Sequence, residues 1–550
     1  MILSAAGLII FFFTDSCWAT VTPSPVVQRD LQKTLQKSGS LNKSIILTPG
    51  DWVVPSNLDI NKSITLKLQK GARISVALGK VLTVNGLLLA PSDKIFIGAG
   101  DVLIDSDRKQ TVYPQWWGAK GDGLSEDTAA LQSAVNSFSL KGGEILIPRG
   151  RYIVNALNVK SNIDLKGYGA GSIFIQKSGA KYCVSTRPAS NTIKRDQPGS
   201  ANISLTDLSF RGTVDTDGFS EFFMLLDIRG TSNVSVTRCN FTGFRGDGIY
   251  IGALKVAEKE LHNTNISVSE CVFDGINKDN RNGISVIDCD GLRIEKSVFK
   301  NCSRPDMPGA IDVEPNERSN IVKNIHITGN RFNNIGGNNI IQISITSKLG
   351  RIDVPLQNVE IAKNVIEGDG KANGIYVGQA QLADVSTAPN SIIISDNVVR
   401  ATKRSFVVFG FKGVRMAGNI FDGSDEAPCL SYSDKKINVM DVKIIGNTFK
   451  DLSKKDGFGI SIFGVRNLEF RDNTFDNIGK ADRTGGNALF FRKHGGPADY
   501  VTIENNTFNG SNTTVAIQRE LGNDTFPEHN SVKNNIYLSS DKVFLPAVGR

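Results

Sequence analysis

The chain reads as an all-β right-handed parallel β-helix, a single-stranded solenoid with an N-terminal capping helix and a small β unit before it. Three observations carry that reading. Short alternating strands recur from about residue 200 onward, each is followed by Asn-x-Phe and a turn, and the pattern returns at a bounded spacing. The clearest copies are 325–332, 414–421, 442–449, 468–475 and 501–508. The apolar anchors fall at Phe210, Phe241, Phe273, Phe299, Phe332, Ile366, Val399, Phe421, Phe449, Phe475 and Phe508, at intervals of 22 to 34 residues. Such a period marks a repeat architecture, with loops of varying length hung on a fixed frame. A propeller has a similar period but more uniform blades.

Stacking explains why those residues recur. Parallel strands in register place like on like, so Phe on Phe makes an apolar column. Asn on Asn makes a ladder of side-chain amides, each donating to the next. The Asn position is Cys239, Cys271 and Ser297 in the early coils and Asn from Asn330 onward. Cys239 and Cys271 read as stacked free thiols rather than a disulfide. At a rise of ~4.8 Å per coil, eleven coils give a rod on the order of 50 Å. A chain of 550 residues exceeds what one average core holds, which fits a solenoid.

Taken in order, residues 1–19 read as a signal peptide, with an apolar run from Leu8 to Phe13 and small residues at Cys17 and Ala19. That run is too short to span a bilayer. The expectation is a secreted protein, extracellular or periplasmic, with no stable membrane insertion. Residues 20–40 read as a linker, 41–112 as a small N-terminal β unit of four-residue apolar runs, 113–535 as the β-helix and 536–550 as a C-terminal cap or tail. The stretch from Tyr113 to Val154 organises the rest. Ser125 is expected to cap a helix over 125–139, in which Ala130, Leu131, Ala134, Val135 and Phe138 recur at helical spacing. Gly142-Gly143 ends it, and Ile145-Leu146-Ile147 is a buried strand. The helix would cap the open end of the solenoid, where edges are otherwise unpaired. Asp122, Glu126 and Asp127 are capping residues first.

No cysteine pair has metal-ligand spacing. The net charge of +8 favours an acidic polymer. No basic run interleaves with aromatics, so nucleic acid is not expected. Oligomeric state is not legible.

Trp117-Gly118-Ala119-Lys120-Gly121-Asp122-Gly123, then Ser125 to Gln132, then Gly142 to Gly150, resembles the opening motif of the pectate lyase superfamily β-helices. Rhamnogalacturonase-like, polygalacturonase-like and phage tailspike-like proteins share it. The resemblance implies a right-handed β-helix that acts on or binds polysaccharide, without fixing the reaction. Polygalacturonase-like hydrolases carry Asp-Asp, Gly-His-Gly and Arg-Ile-Lys. This chain has no Asp-Asp, and none of His262, His326, His494 and His529 lies in Gly-His-Gly. Their catalytic residues therefore do not carry over.

Candidate chemistry is sought at outward positions of the strands that begin Gly-Ile. With Ile311 and Val313 inward, Asp312 and Glu314 point outward side by side. Asp247 and Asp288 lie near the matching edge of the two preceding coils, where they could equally finish turns. Tyr250 and Gln342 are expected as direct stack neighbours of Asp312. Crowded carboxylates perturb one another, so one can stay protonated. That suits glycoside hydrolysis by an acid and a base, with Asp312, Glu314, Asp288 and Asp247 as catalytic candidates. Arg318, Tyr250, Gln342, Arg281 and His494 are candidate substrate contacts. The leading reading is an exported glycoside hydrolase cleaving an acidic, uronate-containing polysaccharide, with no cofactor. One alternative is a polysaccharide lyase, in which the cluster holds Ca²⁺ and Arg318 or Arg281 is the base. The other is a non-catalytic carbohydrate-binding or adhesin-type β-helix, which should line the face with aromatics. Tyr250 and Tyr376 apart, the second strands lack them.

Overall fold

A typical coil is three short strands joined by turns, and the corner between the first two strands shows why the sequence bends there. In the first, Val322–Thr328, burial follows the alternation of Val322, Ile325 and Ile327. Gly329 then adopts a left-handed conformation with φ 66°, Asn330 turns inward, and Arg331–Asn333 begins the second strand. The residue before the ladder position is left-handed in coil after coil: Lys296, Gly329, Lys363, Asp396, Gly418, Gly446, Asp472, Asn505 and Asn534. A longer loop leads to the third strand, here Asn339–Ile345.

The computed structural model describes residues 28–38, 44–188, 199–256, 259–345, 352–354, 356–379, 390–431, 439–479, 487–492, 498–510, 515–519 and 529–538. The strands assemble into two fifteen-stranded sheets and one thirteen-stranded sheet, with consecutive coils as neighbours throughout. All eleven anchors stand in register. From Phe210 to Phe332 the rings stack with centroids 4.7–5.0 Å apart. The Asn ladder runs from Asn330 to Asn535. Asn330 N and Nδ2 donate to Asn364 Oδ1 at 2.9 and 3.1 Å, and Nδ2 also donates to Ile294 O at 2.8 Å. The same set repeats at Asn364, Asn397, Asn419, Asn447, Asn473 and Asn506. Cys183, Cys239, Cys271, Cys289, Cys302 and Cys429 are free and buried.

The N-terminal unit is a short parallel solenoid of its own, with three three-stranded sheets. It begins earlier than expected. Gln28–Asp30 pairs with Gly50–Val54, and the helix Leu31–Ser38 buries Leu31 completely. The end of the expected linker is therefore packed structure. Leu31 and Leu35, one turn apart, form a stripe too short to stand out among polar neighbours. Ile536–Leu538 pairs with Thr507–Asn509 as a last strand.

The helix at the organising stretch spans Thr128–Ser137 and buries Leu131, Ala134 and Val135. Ser125 does not cap it. Asp122–Glu126 is instead a strand paired with Gly150–Val154, and Ser125 N and Oγ donate to the Asp122 carboxylate. Those bonds and the one from Leu124 N hold the Asp122 carboxyl at about 2. Asp127 occupies the N-cap position, but its carboxylate accepts from Lys120 N at 2.6 Å and Gly121 N at 3.1 Å, bracing the Gly118–Gly123 loop. The helix packs on Asp101–Ile104 of the N-terminal unit and on Gly150–Val154 and Leu157–Asn158 of the first coil. It thus fills the junction between two solenoids. The expected signal peptide lies outside the described residues, among which no helix is long and apolar enough to cross a membrane.

Candidate functional site

The outer face of the third sheet carries one outward column in register: Asp227, Tyr250, Ser285, Asp312, Gln342, Tyr376, Val407, Cys429, Ser461 and Phe490. Asp312 lies in Ile311–Val313. Gln342 is its direct neighbour, as expected. Tyr250 is not: Ser285 stands between them, because the Gly283-Ile284 coil supplies its own outward residue.

Asp312 is 2% exposed. Gln342 Nε2 donates to its Oδ1 at 3.0 Å and Asn282 Nδ2 to its Oδ2 at 3.3 Å. Burial, and then the negative charge of Glu314, push its carboxyl up to about 8, against the opposing effect of Arg281. Its environment thus favours the protonated form of Asp312. Glu314 is half-buried and its backbone N–H continues the ladder to Val286 O at 3.0 Å. Glu314 follows the strand Ile311–Val313 directly, two residues on from Asp312.

The neighbouring side chains form one chain of hydrogen bonds. Asn373 Nδ2 donates to Asn339 Oδ1 at 2.9 Å, and Asn339 Nδ2 donates to Gln342 Oε1. On the other side Asn282 Nδ2 donates to Ser285 Oγ at 2.8 Å, and Arg281 Nη1 reaches Ser285 Oγ at 3.2 Å and Asp247 Oδ1 at 2.9 Å. Arg281 also pairs with Glu221 at 3.3 Å. Asp247 is buried, and burial raises its carboxyl in spite of Arg281. Burial alone would lower Arg281, but Asp247 raises it further. Arg281 is thus held as a cation beside Asp247.

The remaining sequence candidates stand elsewhere. Asp288 is fully buried at the corner after the third strand, where its carboxylate accepts from His262 Nδ1 at 2.7 Å, Asn263 N at 2.9 Å and Ile321 N at 2.8 Å. This hydrogen bond raises His262. Asp288 therefore ties three coils together away from Asp312. Arg318 is exposed and pairs with Asp353 at 3.2 Å. His494 lies outside the described residues. Tyr250 has the Arg229 guanidinium 4.4 Å from its ring centroid.

Sequence reading missed Asp227, which is fully buried and paired with Arg187 at 2.6 Å and Arg229 at 2.7 Å. Its signal was present: Leu226-Asp227-Ile228 repeats the pattern of Ile311-Asp312-Val313, a carboxylate mid-strand between two inward aliphatics. It also missed Asn282, Asn339 and Asn373, which resemble turn residues in sequence. The side chains bonded around Asp312 and Asp247 are amides, a guanidinium and the Ser285 hydroxyl, and no three His, Cys, Asp or Glu converge among the described residues.

Beyond Gln342 the same face opens into a cavity of about 540 Å³ bordered by Asn373, Tyr376, Phe409, Phe458, Phe463 and Arg492, among others.

With the fold and face in view, the comparisons with known proteins fall into place. Residues 116–340 match the family described as rhamnogalacturonase A/epimerase, pectate lyase-like. The chain is a right-handed parallel β-helix protein. Mannuronan C5-epimerase AlgE2 of Azotobacter vinelandii is 38% identical over 69 residues, which is 11% of this chain and 7% of the epimerase. Alginate lyase 7 of the same organism is 38% identical over 69 residues, 11% of this chain and 8% of the lyase. The matches thus span under a tenth of these relatives. Among solved structures, the N-terminal fragment of gene product 12 of bacteriophage phi29 superposes with a TM-score of 0.52 at 18% identity, over 78% of this chain and 71% of that one. That likeness is one of fold.

Proposed function

We propose that this β-helix cleaves an acidic, uronate-containing polysaccharide laid along the outer face of its third sheet, by hydrolysis at Asp312 and Glu314. One observation carries the reading: a buried carboxyl pushed up to about 8, two residues in sequence from a second carboxylate whose charge contributes to the shift. A glycoside hydrolase needs such a division between a protonated acid and an ionised base. Asp312 gives its proton to the glycosidic oxygen. Glu314 takes a proton from water, and the water oxygen bonds to the anomeric carbon as the leaving sugar departs. Arg281 supplies positive charge beside the reacting sugar. The export expected from the N-terminal sequence would bring the protein to such a polymer.

A second reading has its own support, the short sequence matches to a C5-epimerase and an alginate lyase. Here Glu314 takes the C5 proton of a uronate, and the carbanion either regains a proton on its opposite face or expels the sugar at C4. Asp312 as a neutral acid and Arg281 as a cation would offset the sugar carboxylate.

The test is a screen of the purified protein on alginate, polygalacturonate and other acidic polysaccharides, with Asp312→Asn beside the wild type. New reducing ends without unsaturated-uronate absorbance, lost in the variant, are expected. Absorbance appearing with the reducing ends moves the assignment to a lyase. Solvent deuterium at C5 without cleavage moves it to an epimerase. Retained binding without any turnover leaves a carbohydrate-binding β-helix.

A further inference from the structure

The cavity on the outer face of the third sheet lies apart from Asp312. Its edge at Tyr376 is two coils from Asp312 and its far edge at Arg492 is six, by the register of the strands. At ~4.8 Å per coil it begins about 10 Å from Asp312 and ends about 29 Å away. Three features of it point to a ligand.

The first is the wall. Tyr376 is half-buried and meets Phe409 edge to face at 5.6 Å, and Phe458 stacks on Phe490 at 5.0 Å. Flat aromatic surface beside polar groups is what the apolar face of a sugar ring packs against. The second is the cation. The Arg492 guanidinium lies 4.4 Å from the Phe458 centroid and 4.5 Å from that of Phe490, and its Nε donates to Ser461 Oγ at 3.1 Å. Those contacts fix the planar guanidinium in the cavity wall, an orientation suited to a carboxylate. Arg404, also in the wall, is paired with Glu426. Asp456 borders the cavity too, but one of its oxygens accepts from Ala427 N at 2.9 Å. The third is an unmet acceptor. Asn373 Oδ1 is buried and has no hydrogen-bond partner among the described residues, a costly state that a donor from a ligand relieves.

We propose that this cavity is a distal subsite for an acidic sugar residue of the same polysaccharide, stacked on Tyr376, with a hydroxyl donated to Asn373 Oδ1 and a carboxylate at Arg492. The assignment rests on the reading of the third-sheet face as polysaccharide-active. It adds a length and a direction: the polymer extends from Asp312 toward the C-terminal coils, so a long substrate is held more tightly than a short one. Asn373 also heads the amide chain through Asn339 and Gln342 to Asp312, so an occupied subsite is hydrogen-bonded to the acid.

Calorimetric titration of oligogalacturonates and oligomannuronates of two to ten residues tests it. Binding is read in Asp312→Asn so that turnover does not consume the ligand, with neutral oligosaccharides of the same lengths as controls and wild-type turnover measured in parallel. Affinity for uronates is expected to climb with length. Arg492→Gln should lower the affinity of the longest oligomer by roughly 10- to 100-fold, the worth of a charge-assisted hydrogen bond, and bring the long-to-short ratio toward one. Tyr376→Ala, at a half-buried surface position, should do the same even if Arg492→Gln folds poorly. Uronate turnover with no gain in affinity with length, or a gain that both variants leave intact, overturns the subsite and leaves the functional reading standing. A length-dependent gain lost in the variants, with no wild-type turnover, keeps the subsite and overturns the hydrolytic reading. No uronate binding overturns both.

Discussion

The early and late coils of this β-helix keep their polar groups in different places. From Asn330 to Asn535 the corner inside each coil holds an Asn whose Nδ2 lies 2.8–3.0 Å from a carbonyl of the preceding coil. In the earlier coils the same corner holds thiols, and Cys239 and Cys271 reach the equivalent carbonyls only at 3.5 Å. A thiol is a weak donor. Those early coils instead carry a polar network on the outside, from Asp247 through Arg281, Ser285 and Asn282 to Asp312 and on to Gln342. The internal ladder starts where the outer network reaches Asn339 and Asn373. The inner column repeats one residue because a structural task is the same in every coil. The outer column changes from coil to coil, as the proposed function requires of a face that meets a reacting group at one place.

The largest effect is expected from breaking the inner column. Asn419→Ala removes the acceptor of Asn397 N at 3.0 Å and Asn397 Nδ2 at 2.9 Å, and the donor to Ile394 O at 2.8 Å. Each buried group left unpaired costs about 1–3 kcal/mol, so urea unfolding should show a loss of roughly 3–6 kcal/mol. A loss under about 1 kcal/mol would mean that the ladder is not what holds the late coils.

Next comes the outer column. Asp312→Asn should lower kcat by about 10²- to 10⁴-fold, the usual contribution of a general acid. Wild-type activity should fall on an alkaline limb with an apparent pKa about 8, since the carboxyl is pushed up to about 8. The effect on stability runs the other way. Because the folded-state value lies above the ordinary 3.8, the native protein keeps a proton that the unfolded chain has released. Stability therefore declines as pH rises from the ordinary carboxylate range to about 8, and levels off above it. Asn cannot ionise, so Asp312→Asn should melt higher than wild type at pH 8 and show a flatter pH dependence of Tm. A lower Tm at pH 8 would mean that Asp312 is ionised and held by its neighbours.

The same contrast decides what could be read from the residues. The coil period, the Phe column and the inner ladder, including its change from Cys and Ser to Asn, are legible because identical residues recur at one structural position. Asp312 with Gln342 was legible because a carboxylate between inward aliphatics has no reason of propensity to be there. Asp227 carried the same sign. The partners were not legible: Asn282, Asn339 and Asn373 look like turn residues, and only register shows that they meet. Tyr250 was misplaced by one coil, and coil counting has no margin for that error. Ser125 resembled an N-cap, but Asp122 lies three residues away and takes its N–H first. The segment 28–38 has one apolar turn and no repeat partner in sequence, so nothing distinguished it from a linker.

The smallest effect should come from extending the late pattern into the early coils by one step. Ser297 Oγ accepts from Cys271 N at 3.1 Å and donates to Glu295 O at 3.0 Å, while Ser297 N already donates to Asn330 Oδ1 at 2.9 Å. Ser297→Asn keeps the acceptor for Cys271 N and adds an Nδ2 that can reach Asn330 Oδ1, as Asn330 Nδ2 reaches Asn364. The gain expected is about 1 kcal/mol, one net hydrogen bond, read as a small rise in the denaturation midpoint. A fall instead would show that the corner beneath Cys271 is packed to the volume of Ser, so that the early coils are shaped by their contents and not merely short of Asn. Either result separates the two networks, because Ser297 lies inside the coil and Asp312 on its outer face.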